Sequence, residues 1–138
     1  YEYLSKRFKE LAYLNPFITI KFNDERTGNK EIYHFEGGIA QYIDDINKKS
    51  IVAKTYSFSA KIEDIELVVA FMYNEADDER FASFVNNIRT PNGGTHEAGF
   101  RAGLTRVISQ YNSKNGLAKE KDIKISGEDV KEGLIAIV

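Results

Sequence analysis

Apolar positions along this chain switch between a period near 3.6 and a period of two, and the switches mark its elements. Leu4, Phe8 and Leu11 recur at helical spacing with Lys6, Arg7, Lys9 and Glu10 between them, predicting a short amphipathic helix closed by Asn15-Pro16. From Phe17 the period drops to two: Ile18, Ile20 and Phe22 alternate with Thr19 and Lys21. A polar turn over Asp24 to Asn29 and a second strand over Glu31 to Phe35 complete a predicted hairpin. Past Gly37-Gly38, the residues Ile39, Tyr42, Ile43 and Ile46 fall on one helical face, with Asp44, Asp45 and Lys48 outside it. Two alternating runs follow, Tyr56 to Ile62 and Ile65 to Tyr73, turned tightly at Glu63-Asp64, and Phe81 to Val85 reads as a further strand.

Turn residues make Asn86 to Gly94 a loop. Thr95 is placed to cap a helix whose first turn holds Glu97, and whose apolar stripe is Phe100, Leu104, Val107, Ile108 and Tyr111. The stripe predicts a core helix reaching about Lys114, a rigid lever seated along its length. Ser126-Gly127-Glu128-Asp129 has the form of a second N-cap, and Leu134 to Val138 reads as a final strand. Three consecutive strands without intervening helices predict an α+β class: a mixed sheet with its helices on one face. A βαβ crossover through Ile39 to Ile46 would be right-handed if its flanking strands are parallel.

Composition narrows the function classes. The 138 residues suit one domain, and eight tyrosines and nine phenylalanines supply enough bulk for a core, which excludes a disordered chain. The formal net charge of −2 lacks the basic excess of a dedicated DNA binder, so any nucleic-acid contact rests on a few residues. With no cysteine, disulfides, thiolate zinc sites and a cysteine nucleophile are excluded. No apolar run approaches a membrane span, and no signal peptide opens the chain. Tyr1 at one end and the apolar run Leu134 to Val138 at the other lead us to expect an excised piece of a larger cytoplasmic protein.

The residues by themselves disclose no active site. Gly93-Gly94-Thr95-His96 opens a helix in a way that suits an anion, but it lacks the glycine spacing and Lys-Ser/Thr pair of a phosphate loop. His34 and His96 are the only histidines, too few for zinc. Asp44-Asp45 and Asp77-Asp78 read as solvated surface charge, and Tyr111 as core packing. Arg101 lies at the margin of the long helix's stripe, in a lane with Thr105 and Asn112, while Arg106 projects elsewhere. Two readings of Arg101 stand: an ordinary surface charge, or a guanidinium facing a phosphate backbone.

Gly93-Gly94-Thr95-His96-Glu97-Ala98-Gly99-Phe100-Arg101, with Asn86-Asn87-Ile88 before it and Ala102 to Arg106 after it, resembles the B-subunit family of bacterial DNA gyrase, the ATPase subunit of type IIA topoisomerases. Gly127-Glu128-Asp129-Val130-Lys131-Glu132-Gly133-Leu134 is similar to the Gly-Asp-Asp-x-Arg-Glu-Gly-Leu pattern of the same family. Weaker matches run through Leu11 to Asn15 and His34 to Ile39, so the resemblance spans nearly the whole chain in the family's order.

It implies a transducer domain of ribosomal-S5-domain-2-like fold, with residues 1–15 as a helix linking from an ATPase domain and 16–138 as the transducer, truncated at its C-terminus. The expected role is to couple ATP binding and hydrolysis to DNA strand passage and negative supercoiling. DNA, the gyrase A subunit and a second B subunit are the implied partners. ATP and Mg belong to the parent enzyme, and no cofactor is expected in this segment, which alone should be a monomer. The resemblance puts Arg101 on the cavity enclosed by two B subunits. It puts the ATP-binding asparagine, catalytic glutamate and glycine-rich lid upstream of Tyr1, and the Gln-Thr-Lys loop beyond Val138. The matching subunit of topoisomerase IV, and an S5-like interaction module without an ATPase, are the alternatives.

Overall fold

The computed structural model describes residues 1–116 and 124–138. Helix α1 (Glu2–Leu14) is followed by the strands β1 (Ile20–Asp24) and β2 (Asn29–Tyr33), helix α2 (Gly38–Ile46), and the long strands β3 (Ile51–Ile62) and β4 (Ile65–Asn74). Three short strands come next: β5 (Arg80–Ala82), β6 (Phe84–Val85) and β7 (Ile88–Arg89). Helix α3 (Thr95–Asn115), helix α4 (Gly127–Lys131) and strand β8 (Leu134–Ile137) complete the described order.

The main sheet is mixed, as expected, with strand order β3-β4-β8-β5; β8 pairs antiparallel to β4 and parallel to β5. β1 pairs with β2 in a separate hairpin, and β6 with β7 in another. The β1–β2 strands extend into the polar run, Asp24 opposite Asn29, so the turn is tighter than the sequence suggests and Phe17 is left exposed. Because β2 and β3 belong to different sheets, α2 is no βαβ crossover. The parallel pair β5 and β8 is joined through α3 and α4 instead.

The helices do not share one face of the sheet, contrary to the expectation. Side chains alternate across a strand. Ala70 and Met72 of β4, with their β8 neighbours Ile137 and Ile135, face α2 and build the core with Ile39, Ile43 and Phe84. Phe71 and Tyr73 lie on the other side: Phe71 and Phe81 meet Phe100 of α3 with ring centroids 5.9 and 5.8 Å apart. Tyr73 donates its hydroxyl to the Val130 carbonyl of α4 at 2.8 Å. The physical reason lies in β8, whose four residues are all apolar and all buried. A continuous apolar strand needs cover on both faces.

α3 departs most from its expected role. None of its residues is fully buried, and Val107 and Tyr111 are 59% and 61% exposed. Its anchor is the N-terminal half, through Phe100 and through Leu104, which lines an apolar cavity against Val130 and Leu134 of about 400 Å³. Tyr111 is therefore no core residue, and among the described residues the lever is seated chiefly by its N-terminal half. Thr95 is the first helical residue, and Gly94 occupies the cap position without a side-chain bond.

α4 begins as its sequence suggests. The Ser126 hydroxyl accepts from the Asp129 amide at 3.3 Å, and Asp129 Oδ2 accepts from the Ser126 amide at 2.8 Å. Hydrogen bonds from the Ser126 hydroxyl and amide hold the Asp129 carboxyl below its ordinary range. Its depressed folded pKa means that this support is present above the unfolded carboxyl pKa and is lost as pH falls through the folded one. Ser126→Ala should cost about 1 kcal/mol in a denaturant melt. A change below about 0.3 kcal/mol would mean that burial of Val130 alone sets the helix.

Candidate functional site

A tight turn sets the first wall of the site. Asn86 and Asn87 both have positive φ, +49° and +65°, the backbone that a two-residue hairpin between β6 and β7 demands and asparagine tolerates. The hairpin is clamped to α1. Arg7 Nη2 donates to the Asn87 carbonyl at 2.6 Å, and Arg89 Nη1 meets Glu10 Oε1 at 3.0 Å. Glu10 is only 6% exposed although the sequence pattern places it outside the apolar stripe. Arg7, Arg89 and the Tyr42 hydroxyl supply the donors that a buried carboxylate needs.

The Gly93-Gly94 pair shapes the helix entry. Gly93, at φ +72°, donates its amide to the Thr90 carbonyl at 2.9 Å and reverses the chain. A Cβ at Gly94 would lie 2.7 Å from the His96 ring. The imidazole occupies that space, and its Nε2 sits 3.2 Å from Thr90 Oγ1. The pair therefore brings the His96 ring against the loop, and His96 takes part in a polar relay.

The relay runs from Thr90 Oγ1 to Ser83 Oγ at 2.7 Å, and from Ser83 Oγ to Glu97 Oε2, which accepts at 3.1 Å. Ser83 is 3% exposed. Glu97 presents its other oxygen, Oε1, to Arg101, accepting from Nε at 3.1 Å and Nη2 at 2.8 Å. Arg101 Nη1 donates to Glu79, and the guanidinium carbon lies 4.2 Å from the centroid of Phe81. Burial works against the Arg101 charge, but Glu79 and Glu97 outweigh it and hold its pKa above the ordinary value. These groups line a polar cleft of about 570 Å³ at the end of β5, with Arg89 on its rim beside α1.

Arg101, the one site residue expected from sequence, is thus the hub of a built cluster, in a lane with Thr105, whose hydroxyl donates to the Arg101 carbonyl at 2.9 Å. Arg106 is exposed and lines only the apolar cavity between α3 and α4, which Arg101 also borders. Sequence reasoning missed Glu79, Phe81, Ser83 and Thr90 as partners. The signal available in the sequence reaches only Glu97, whose spacing of four from Arg101 lets the two side chains meet on a helix. Asp45, read as solvated charge, accepts a hydrogen bond from the buried Tyr13 hydroxyl. Among the described residues no group of three or more His, Asp or Glu side chains is arranged to hold a metal ion, and no helix is long and apolar enough to cross a membrane.

Comparison with known proteins places this chain in a family. A profile described as DNA gyrase B matches residues 38–138. The DNA gyrase B subunit of Campylobacter jejuni is 61% identical over 138 residues, covering all of this chain and 18% of that protein. That of Streptococcus pyogenes is 44% identical over 142 residues, covering 22% of its length. The chain therefore spans about a fifth of these relatives. Among solved structures, the 43K ATPase domain of Thermus thermophilus gyrase B, in complex with an aminocoumarin, superposes with a TM-score of 0.87 at 28% identity, over 99% of this chain and 38% of that one. The ATP-binding domain of Francisella tularensis topoisomerase IV gives 0.80 at 30% identity, over 99% and 36%. With most of its length matched by the family profile, this chain belongs to the DNA gyrase B family.

Proposed function

We propose that this chain is the transducer segment of a gyrase B subunit, coupling ATP binding and hydrolysis in a preceding domain to DNA strand passage and negative supercoiling. The 61% identity to a gyrase B subunit along the whole chain carries the reading. In it, residues 1–15 link from the ATPase domain and 16–138 form an S5-domain-2-like transducer. The parent enzyme uses ATP with Mg, and works with its A subunit, a second B subunit and DNA. Localisation in the cytoplasm follows from the DNA substrate.

The geometry suits a coupling element. α1 is braced to the β6–β7 hairpin by Arg7, Glu10 and Arg89, so motion delivered to the linking helix arrives at the rim of the cleft. Arg101 sits across that cleft, where α3 meets the sheet edge, and is the residue we assign to the DNA cavity.

Arg101→Gln in the intact B subunit, assembled with its A subunit, tests the assignment. Supercoiling should fall about tenfold or more, the scale of losing a charged hydrogen bond, while ATP hydrolysis without DNA persists. Supercoiling at the wild-type level would make Arg101 a purely structural cation. Decatenation measured alongside separates a gyrase from a topoisomerase IV activity, since only the former supercoils relaxed circles.

A further inference from the structure

The assigned DNA residue is already occupied. Two carboxylates face one guanidinium, so the group formed by Glu79, Glu97 and Arg101 carries a net negative charge. Arg89, the other cation on the cleft, is matched by Glu10. A polyanion approaching this cleft as built meets no excess of positive charge. For Arg101 to contact a phosphate with two N–H groups, at least one carboxylate has to yield.

The two carboxylates are not equivalent. Glu97 is fixed at both oxygens: Oε1 by Nε and Nη2 of Arg101, Oε2 by the buried Ser83 hydroxyl, which the Thr90 hydroxyl positions in turn. It stands on the same helix, one turn before Arg101. Glu79 comes from the polar run ahead of β5, and among the described residues Arg101 is the only group it bonds. Phe81 supports the guanidinium from one face, so releasing Glu79 leaves Arg101 aimed by Glu97 and stacked on an aromatic ring.

We propose that Glu79 is the displaceable counter-ion of Arg101: a phosphodiester of the captured duplex takes the place of its carboxylate on Nη1, while Glu97 is the positioning residue that keeps the guanidinium aimed. The inference rests on the reading of Arg101 as a DNA-cavity residue. The displaced Glu79 carboxylate stays tethered beside the cleft and is taken up by solvent and cations, so its charge works against entry of the phosphate. Glu79 then sets how readily the cavity engages DNA, and keeps Arg101 ordered and neutralised when no duplex is present.

The test uses the intact B subunit assembled with its A subunit, with ATP hydrolysis titrated against linear duplex DNA. The readout is the DNA concentration giving half-maximal stimulation. Glu79→Gln should lower it about threefold or more, the worth of a partly screened ion pair, and Arg101→Gln should raise it. In the double variant the gain from Glu79→Gln should vanish, because its target is gone. Glu79→Asp, which keeps the charge and shortens the reach, should also lower the half-maximal concentration and gives a second reading if the glutamine variant folds poorly.

If Arg101→Gln weakens DNA stimulation while neither Glu79 variant strengthens it, the exchange is wrong and the reading of Arg101 survives. If Arg101→Gln changes nothing, both fall together. An equal gain from Glu79→Gln with and without Arg101 would show general repulsion of DNA and overturn the exchange. Inorganic phosphate against potassium chloride at matched ionic strength separates the two sources of phosphate. An equal effect of both salts supports the duplex; a phosphate-specific loss that Arg101→Gln abolishes would assign the site to a free anion.

Discussion

Gly133→Ala should destabilise the chain by about 3–5 kcal/mol, combining the cost of a left-handed backbone at a residue with a Cβ and that of overpacking a rigid neighbour. Gly133 has φ +70°, and a Cβ there would lie 2.3 Å from the Asn74 carbonyl oxygen and 3.1 Å from that of Ala76. Both obstacles are backbone. Asn74 is itself 7% exposed and pinned: its amide nitrogen donates to Asn47 Oδ1 at 2.9 Å, and its side-chain oxygen accepts from the Ala76 amide at 2.9 Å. The Asn74 backbone amide donates to the Gly133 carbonyl at 2.9 Å, so the two strands cannot separate without losing that bond. Gly133 is the hinge through which β8 enters between β4 and β5, and any shift there propagates into the strand whose four side chains are all buried. The midpoint of a denaturant melt measures the loss. A loss below about 1 kcal/mol would mean that the 74–76 turn relaxes freely, against the bonds that hold it.

Gly133 also illustrates what the sequence makes legible. Its place just before the apolar run Leu134 to Ile137 marks the strand's start, and the run itself, apolar without alternation, carries the information that β8 is covered on both faces. The expectation of helices on one face ignored that signal in favour of the order of elements. The hairpin at Glu63-Asp64, α2 and the capping box at Ser126 were legible because each is local: a period of two, a period near 3.6, a hydroxyl three residues before an acid. α3 was legible as a helix but not as an exposed one. Periodicity reports which residues share a face, and only the neighbours decide whether that face is covered; Val107 and Tyr111 share the stripe of Phe100 and stay open.

The site divides in the same way. Arg101 and Glu97 lie one turn apart and are visible as a pair, whereas Glu79 and Arg101 are 22 residues apart, and Glu10 and Arg89 are 79 apart. No local pattern announces such contacts. Glu10 shows the cost of this: its spacing marks it as a surface residue, yet it is buried because Arg7, Arg89 and Tyr42 converge on it from three elements. Resemblance to the family supplied the role proposed for Arg101, and the fold supplied the company it keeps.

Tyr13→Ala should cost about 3–5 kcal/mol, the range for removing a buried aromatic. The ring is 1% exposed and packs between Phe35 and Tyr42, with centroids 3.7 and 4.5 Å away and planes within 13° and 2°. With the Tyr42–Glu10 bond it fastens α1 to α2, and α1 in turn carries Arg7 and Glu10 to the hairpin at the cleft. Tyr13→Phe isolates the hydroxyl, which donates to Asp45; because Asp45 is solvent-exposed and rehydrates, the loss should be about 1 kcal/mol near pH 7. The two variants separate further at alkaline pH. Burial first, then the bond to the Asp45 carboxylate, pushes the Tyr13 phenol well above its ordinary pKa of 10.0. A folded pKa above the unfolded one gives stability that is complete below pH 10 and is lost as pH rises from there towards the folded value. Tyr42 and Tyr73 are raised in the same direction, chiefly by burial, so the wild-type chain should lose stability steeply above pH 10. Tyr13→Phe removes one of these protons and should flatten the fall by about 1.4 kcal/mol per pH unit, read from denaturant melts at successive pH values. Parallel curves for the two proteins would mean that Tyr13 ionises freely in the folded chain, and the clamp that joins α1 to α2 would have to be looser than its stacked rings indicate.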